Sequence, residues 1–158
     1  MRGLASWMLV MLLLVAAVVG CQAGGPAPLT APAPEEPQTQ RVPVEGGGSY
    51  TDVGAAGLQT MLATKDFLLI NVHIPYEGEL PDTDLFIPYN EVEANLDKLP
   101  VDKASRLVLY CRSGSMSAIA ARTLVQLGYT DVWNLDGGMI GWQAAGYPLL
   151  KAPDSGGG

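Results

Sequence analysis

Cys111-Arg112-Ser113-Gly114-Ser115-Met116-Ser117 is a short polar turn set between the apolar run Leu107-Val108-Leu109-Tyr110 and a segment of helical spacing from Ser117 to Leu127. In that segment Ala120, Leu124 and Leu127 follow the i, i+4, i+7 rule, and Gly128 suits the left-handed position past a helix end. A strand ending in cysteine, then small residues, then a helix points successive backbone N–H groups and the positive end of a helix dipole at one spot. Anything negative placed there is stabilised. The first candidate is the sulfur of Cys111 itself, because amides and the neighbouring Arg112 favour thiolate over thiol. The second is an anionic substrate.

Working outward, Tyr50-Thr-Asp-Val53 reads as a short first strand, and residues 55–63 place Leu58, Met61 and Leu62 on one helical face. Phe67 to Val72 is a buried strand. Asn90 with Glu93 forms a capping-box pattern ahead of a helix ending near Leu99, closed by Pro100. Val132 to Leu135 is the last strand, and Met139 to Ala145 the last helix, stopped by Gly146 and Pro148. Strands alternating with helices imply an α/β domain whose parallel sheet is covered on both faces. Ligands in such folds sit at the carboxyl ends of strands, where Cys111 falls.

These residues resemble the single-domain rhodanese-like sulfurtransferases, whose active loop reads Cys-Arg-Ser-Gly-x-x-Ser after a buried strand. Phe67-Leu-Leu-Ile-Asn-Val72 is similar to the family's second strand and Phe86-Ile-Pro-Tyr-Asn90 to its next one. Val132-Trp-Asn-Leu-Asp-Gly-Gly-Met-Ile-Gly-Trp142 is similar to its closing Leu-x-Gly-Gly-x-x-x-Trp segment. The resemblance runs from about residue 49 to residue 150. It implies a three-layer sandwich around a central parallel sheet of about five strands, with helices on both faces. It also implies a sulfurtransferase or persulfide carrier acting through Cys111, with Arg112, Ser113, Gly114, Ser115, Met116 and Ser117 around the transferred sulfur and with no cofactor or metal. Partners would be a small sulfur donor, such as thiosulfate, a polysulfide or a persulfide, and a thiol acceptor.

The departures from the pattern bear on the substrate. The sixth loop position, usually cationic or hydroxylic in thiosulfate-using members, is Met116, so one contact to an anionic donor is missing. A polarizable Met suits a polysulfide or organic persulfide, or simply packs. The family's Asp-Val-Arg is Asn71-Val72-His73 here, and its Gly-His-Ile-Pro-Gly-Ala turn is replaced by Asp84-Leu-Phe-Ile-Pro-Tyr89, which removes one usual ion-pairing site. A non-catalytic rhodanese-like binding module is therefore the alternative function. A Cys-x5-Arg phosphatase or arsenate reductase needs Arg where Ser117 stands, and without that bidentate clamp it is disfavoured.

His73, the single histidine of the chain, is either an auxiliary proton carrier or a hydrogen-bonded structural residue. The loop from His73 to Asp84 carries four carboxylates without EF-hand spacing, so it reads as solvated rather than as a calcium site. Trp133, Trp142 and Tyr147 read as core rather than as an aromatic rim.

The N-terminus points to export. Met1-Arg2 supplies positive charge, Leu4 to Val19 is almost wholly apolar, and Val18-Val19-Gly20-Cys21 ends the run in small residues before a cysteine. The pattern is similar to a bacterial lipobox, which implies a signal peptide over residues 1–20, cleavage before Cys21 and lipid on that sulfur. Two or more acyl chains give stable anchoring; an uncleaved anchor is the alternative, because the run approaches the roughly 18–20 residues that span a bilayer. Residues 21–48 read as a Pro/Ala/Gly-rich tether, residues 49–150 as the domain and residues 151–158 as a loose tail. The expected location is the outer, extracytoplasmic side of the cell membrane. With Cys21 lipidated, Cys111 is the remaining thiol of the two cysteines, so no internal disulfide forms. Net charge is −7, and loss of Arg2 leaves 8 basic against 16 acidic residues, −8. No basic face is visible, which argues against nucleic acid as a partner.

Overall fold

A computed structural model of the chain describes residues 38–150. They run through β1 (Thr39–Pro43), β2 (Ser49–Val53), α1 (Ala55–Leu62), β3 (Leu68–Asn71), β4 (Leu85–Phe86), a 3₁₀ segment (Glu93–Lys98), β5 (Leu107–Tyr110), α2 (Ser115–Gln126), β6 (Val132–Leu135) and α3 (Gly138–Ala144). The expected signal over residues 1–20, the lipid site at Cys21, the tether as far as residue 37 and the tail at 151–158 lie outside the described residues. Among the described residues no helix is long and apolar enough to cross a membrane.

β5 has no polar position with which its apolar residues alternate, so both of its faces must be covered, and all four residues are buried. It lies inside a six-stranded sheet of order β1-β2-β6-β5-β3-β4, in which every pairing but β1–β2 is parallel. On one face Leu107 and Leu109 join Ile70, Val72 and Val132 under Ala120, Ala121 and Leu124 of α2. On the other, Val108 and Tyr110 join Leu69 and Leu135 under Leu58 of α1 and Met139 and Trp142 of α3. The result is the expected α/β sandwich of three layers. Trp142 is fully buried and packs against Tyr147 with ring centroids 4.6 Å apart and planes tilted by 41°, and Trp133 packs on the same cluster, so these aromatics belong to the core.

Two expectations need correction. The sheet has six strands rather than about five, because Thr39–Pro43, read from composition as tether, pairs antiparallel with β2 from Thr39↔Val53 to Pro43↔Ser49. The Gly46-Gly47-Gly48 turn folds it back, and Val42 and Val44 pack onto the core. An outer edge strand tolerates proline, which is why a proline-containing stretch takes this place. The second concerns residues 90–99, where the capping box is not formed. The segment makes 3₁₀ turns interrupted at Asn95 (φ −119°), and Val92, not Asn90, precedes it without a side-chain cap. Asn95 Nδ2 donates to Glu91 O at 2.8 Å, taking the carbonyl that an α-helix would offer to the Asn95 amide, which donates instead to Val92 O.

Candidate active site

α2 begins at Ser115, with Gly114 as its N-cap in the left-handed region (φ 91°) and no side-chain cap. The first intrahelical bond runs from Ala118 N to Gly114 O at 3.0 Å. The amides before it have no carbonyl within the helix to bind, and they converge on the sulfur at the end of β5. Gly114 N donates to Cys111 Sγ at 3.1 Å. The Ser117 hydroxyl lies 3.5 Å from the same sulfur and 3.1 Å from Gly114 O. Since a hydroxyl carries one proton, negative charge on the sulfur draws that proton toward it.

Cys111 is 1% exposed. Burial pushes its thiol pKa up, but the Ser117 hydroxyl and the amides of Ser117, Ser113 and Met116 outweigh burial, and the thiol sits below its ordinary value. The same donors suit a second sulfur carrying negative charge beyond the first.

The loop is held from behind by the start of α3. Met139 N donates to Cys111 O at 2.9 Å and Ile140 N to Arg112 O at 3.0 Å, which turns both carbonyls away from the sulfur side. Gly138 makes this approach possible: a Cβ there would lie 2.3 Å from Cys111 O, and its φ is +53°. By sequence, Gly137 and Gly138 fall in a strand-to-helix segment with no role at the loop. Their contribution is tertiary, joining two turns more than twenty residues apart, and the paired glycines ahead of α3 are its only signal.

Other expected site residues take distinct places. Ser113 and Ser115 are exposed, with hydroxyls 3.4 Å apart at the rim, whereas Ser117 lies buried beneath. Met116 is half-buried and packs against the core below α2. Arg112 points outward and pairs with Glu77, its Nε 3.2 Å from Oε2. His73 is buried, with neither ring nitrogen hydrogen-bonded and Nε2 3.5 Å from Glu77. The acidic loop does not gather its carboxylates, because Asp84 pairs with Lys65 at 2.6 Å and accepts from Leu69 N at 2.7 Å. Among the described residues no three His, Cys, Asp or Glu side chains are placed to share a metal ion. Sequence reasoning missed Glu77 at the loop, since nothing in its local pattern signals a contact with Arg112.

Residues 69–145 match the profile of the Rhodanese-like domain. A sulfurtransferase of Allochromatium vinosum is 37% identical over 99 residues, which cover 61% of this chain and 89% of that protein. The chain belongs to the rhodanese-like domain family. A second relative, the probable adenylyltransferase/sulfurtransferase MoeZ of Mycobacterium tuberculosis, is 35% identical over 78 residues, 47% of this chain but only 19% of that much longer protein. The crystal structure of a rhodanese-related protein from Thermoplasma volcanium aligns with a TM-score of 0.54 and 27% identity, over 63% of this chain and 96% of that one. The cysteine loop and the elements from β4 to α3 thus lie within the span matched by the family profile, whereas β1, β2 and α1 precede it.

Proposed function

We propose that this rhodanese-like protein moves sulfane sulfur through a persulfide on Cys111 and does so outside the cytoplasm, held to the membrane by lipid on Cys21. The observation that carries the catalytic part is the cradle at the sulfur, with Gly114 N at 3.1 Å and the thiol lowered below its ordinary value despite burial. Sequence similarity to a sulfurtransferase over most of that protein's length supports the same reaction class.

In the first half-reaction the Cys111 thiolate attacks the outer sulfur of a donor, and the donor's S–S bond breaks. Thiosulfate would leave as sulfite and an alkyl persulfide as a thiolate, with Cys111 carrying the added sulfur in either case. In the second, an acceptor thiolate attacks that terminal sulfur, the Cys111 S–S bond breaks, and the Cys111 thiolate returns. The main-chain donors serve both steps by stabilising whichever sulfur bears the charge. Buried Cys111 exposes little surface, so the donor must deliver a terminal sulfur rather than an internal one.

The purified full-length protein, treated with thiosulfate or an alkyl persulfide, should gain the mass of one sulfur atom on Cys111, and Cys111→Ser should not. No adduct with any donor would replace this reading with that of a binding module. The tether is tested separately: mass spectrometry of the mature N-terminus should find an acylated Cys21, and Cys21→Ala should release the protein from membranes.

A further inference from the structure

Arg112 is the one cationic side chain of the loop from Cys111 to Ser117, and it is not free. Glu77 Oε2 lies 3.2 Å from Arg112 Nε and 3.5 Å from His73 Nε2, so one carboxylate serves both groups. Glu77 comes from the turn after β3, the strand that pairs with β5, and it meets the loop at the residue next to the reactive sulfur. The pair is partly exposed, with side-chain exposures of 59% for Arg112 and 44% for Glu77, which places it on the solvent side of the loop. The remaining side chains of the loop add hydroxyls and Met116 but no charge.

We propose that Glu77 is a specificity-determining residue that neutralises Arg112 and so turns the Cys111 site away from dianionic thiosulfate and toward donors of lower charge, such as alkyl persulfides. The inference rests on the sulfurtransferase reading and names the donor class within it. Thiosulfate brings two negative charges and leaves as dianionic sulfite, and an unpaired guanidinium would favour its approach and departure. A guanidinium already bound to a carboxylate offers little of that attraction. With an alkyl persulfide the Cys111 thiolate takes the outer sulfur, the S–S bond breaks and a singly charged thiolate leaves, so less positive charge is needed.

The test measures single-turnover sulfur loading of Cys111 in the full-length protein with two probes, thiosulfate and 2-hydroxyethyl persulfide. Glu77→Gln should raise the second-order rate with thiosulfate about tenfold, from loss of one charge a few ångströms from Arg112, while changing the alkyl persulfide rate less than about twofold. Glu77→Lys should extend the thiosulfate gain, and it provides a second reading if the neutral variant folds poorly. Equal changes with both donors, or none, in a wild-type protein that loads normally would overturn this inference alone. A wild-type protein that takes sulfur from neither probe would overturn the sulfurtransferase reading and this inference with it.

Discussion

At Cys111 two opposing effects meet. Burial at the end of β5 disfavours a charged sulfur, and main-chain amides with the Ser117 hydroxyl favour it, the second prevailing. The rate of alkylation by iodoacetamide should therefore rise through an inflection at lower pH than an ordinary cysteine shows, and Ser117→Ala should move that inflection upward. The same shift couples to stability. Because the folded-state pKa is lowered, the thiolate contributes stability in full above the unfolded-state pKa, and this is lost as pH falls through the folded-state value. Urea unfolding across that window should show the dependence in wild type and not in Cys111→Ser. Next to it, Tyr110 serves the scaffold and not the sulfur. Its hydroxyl accepts from Leu80 N at 3.0 Å and lies 2.7 Å from Thr83 Oγ1, fixing the loop after β3. Burial raises its pKa well above the usual phenol range, so it stays neutral. Tyr110→Phe should cost about 1–3 kcal/mol by leaving the buried Leu80 amide unpaired, read from the shift in urea midpoint.

Among elements, the Cys111 loop depends on two helix starts acting from opposite sides. α2 presents its unpaired amides to the sulfur, and α3 binds the carbonyls of Cys111 and Arg112 from behind. Together they fix which side of each peptide faces the sulfur. Gly138 is the point of closest approach, and a methyl group there meets backbone, not a side chain that can swing away. Gly138→Ala should lower stability by about 2–4 kcal/mol, combining left-handed strain with this clash. Its loss of sulfur loading should exceed what the unfolded fraction explains, when the rate is compared with the far-UV circular dichroism of the same sample.

Over the whole molecule, the sheet is closed on the β2 side by β1, so the folded unit begins earlier than residue 49. A chain shortened to start at Ser49 would lose the packing of Val42 and Val44 and leave β2 as an open edge. Burial of two valines sets the expected cost at about 2–5 kcal/mol, measured by urea denaturation against the full chain. At the other end of the sequence, α3 is fixed through Trp142, buried against both α1 and the sheet, with Nε1 donating to Pro148 O at 2.8 Å. The acidic balance of the chain acts at this scale as well, slowing the approach of small anions and working in the same direction as the pairing of Arg112 with Glu77.

The alternation of strands and helices from β2 to α3, the covering of the sheet on both faces and the placement of Cys111 at a strand end were determined by sequence alone, residues 90–99 apart, because they follow from local rules. An apolar run without alternation must be buried on both faces, and a strand, small residues and a helix make a nest wherever they occur. The loop's own residues were legible for the same reason, being contiguous. What only the tertiary structure decided were contacts between segments distant along the chain: β1 folding back on β2, Gly138 bracing the Cys111 peptide and Glu77 meeting Arg112. In residues 90–99 the local pattern even suggested a helix that a side-chain hydrogen bond from Asn95 interrupts. Periodicity and capping record what a segment prefers on its own, whereas partners across the sheet are chosen by packing, which no single stretch of sequence contains.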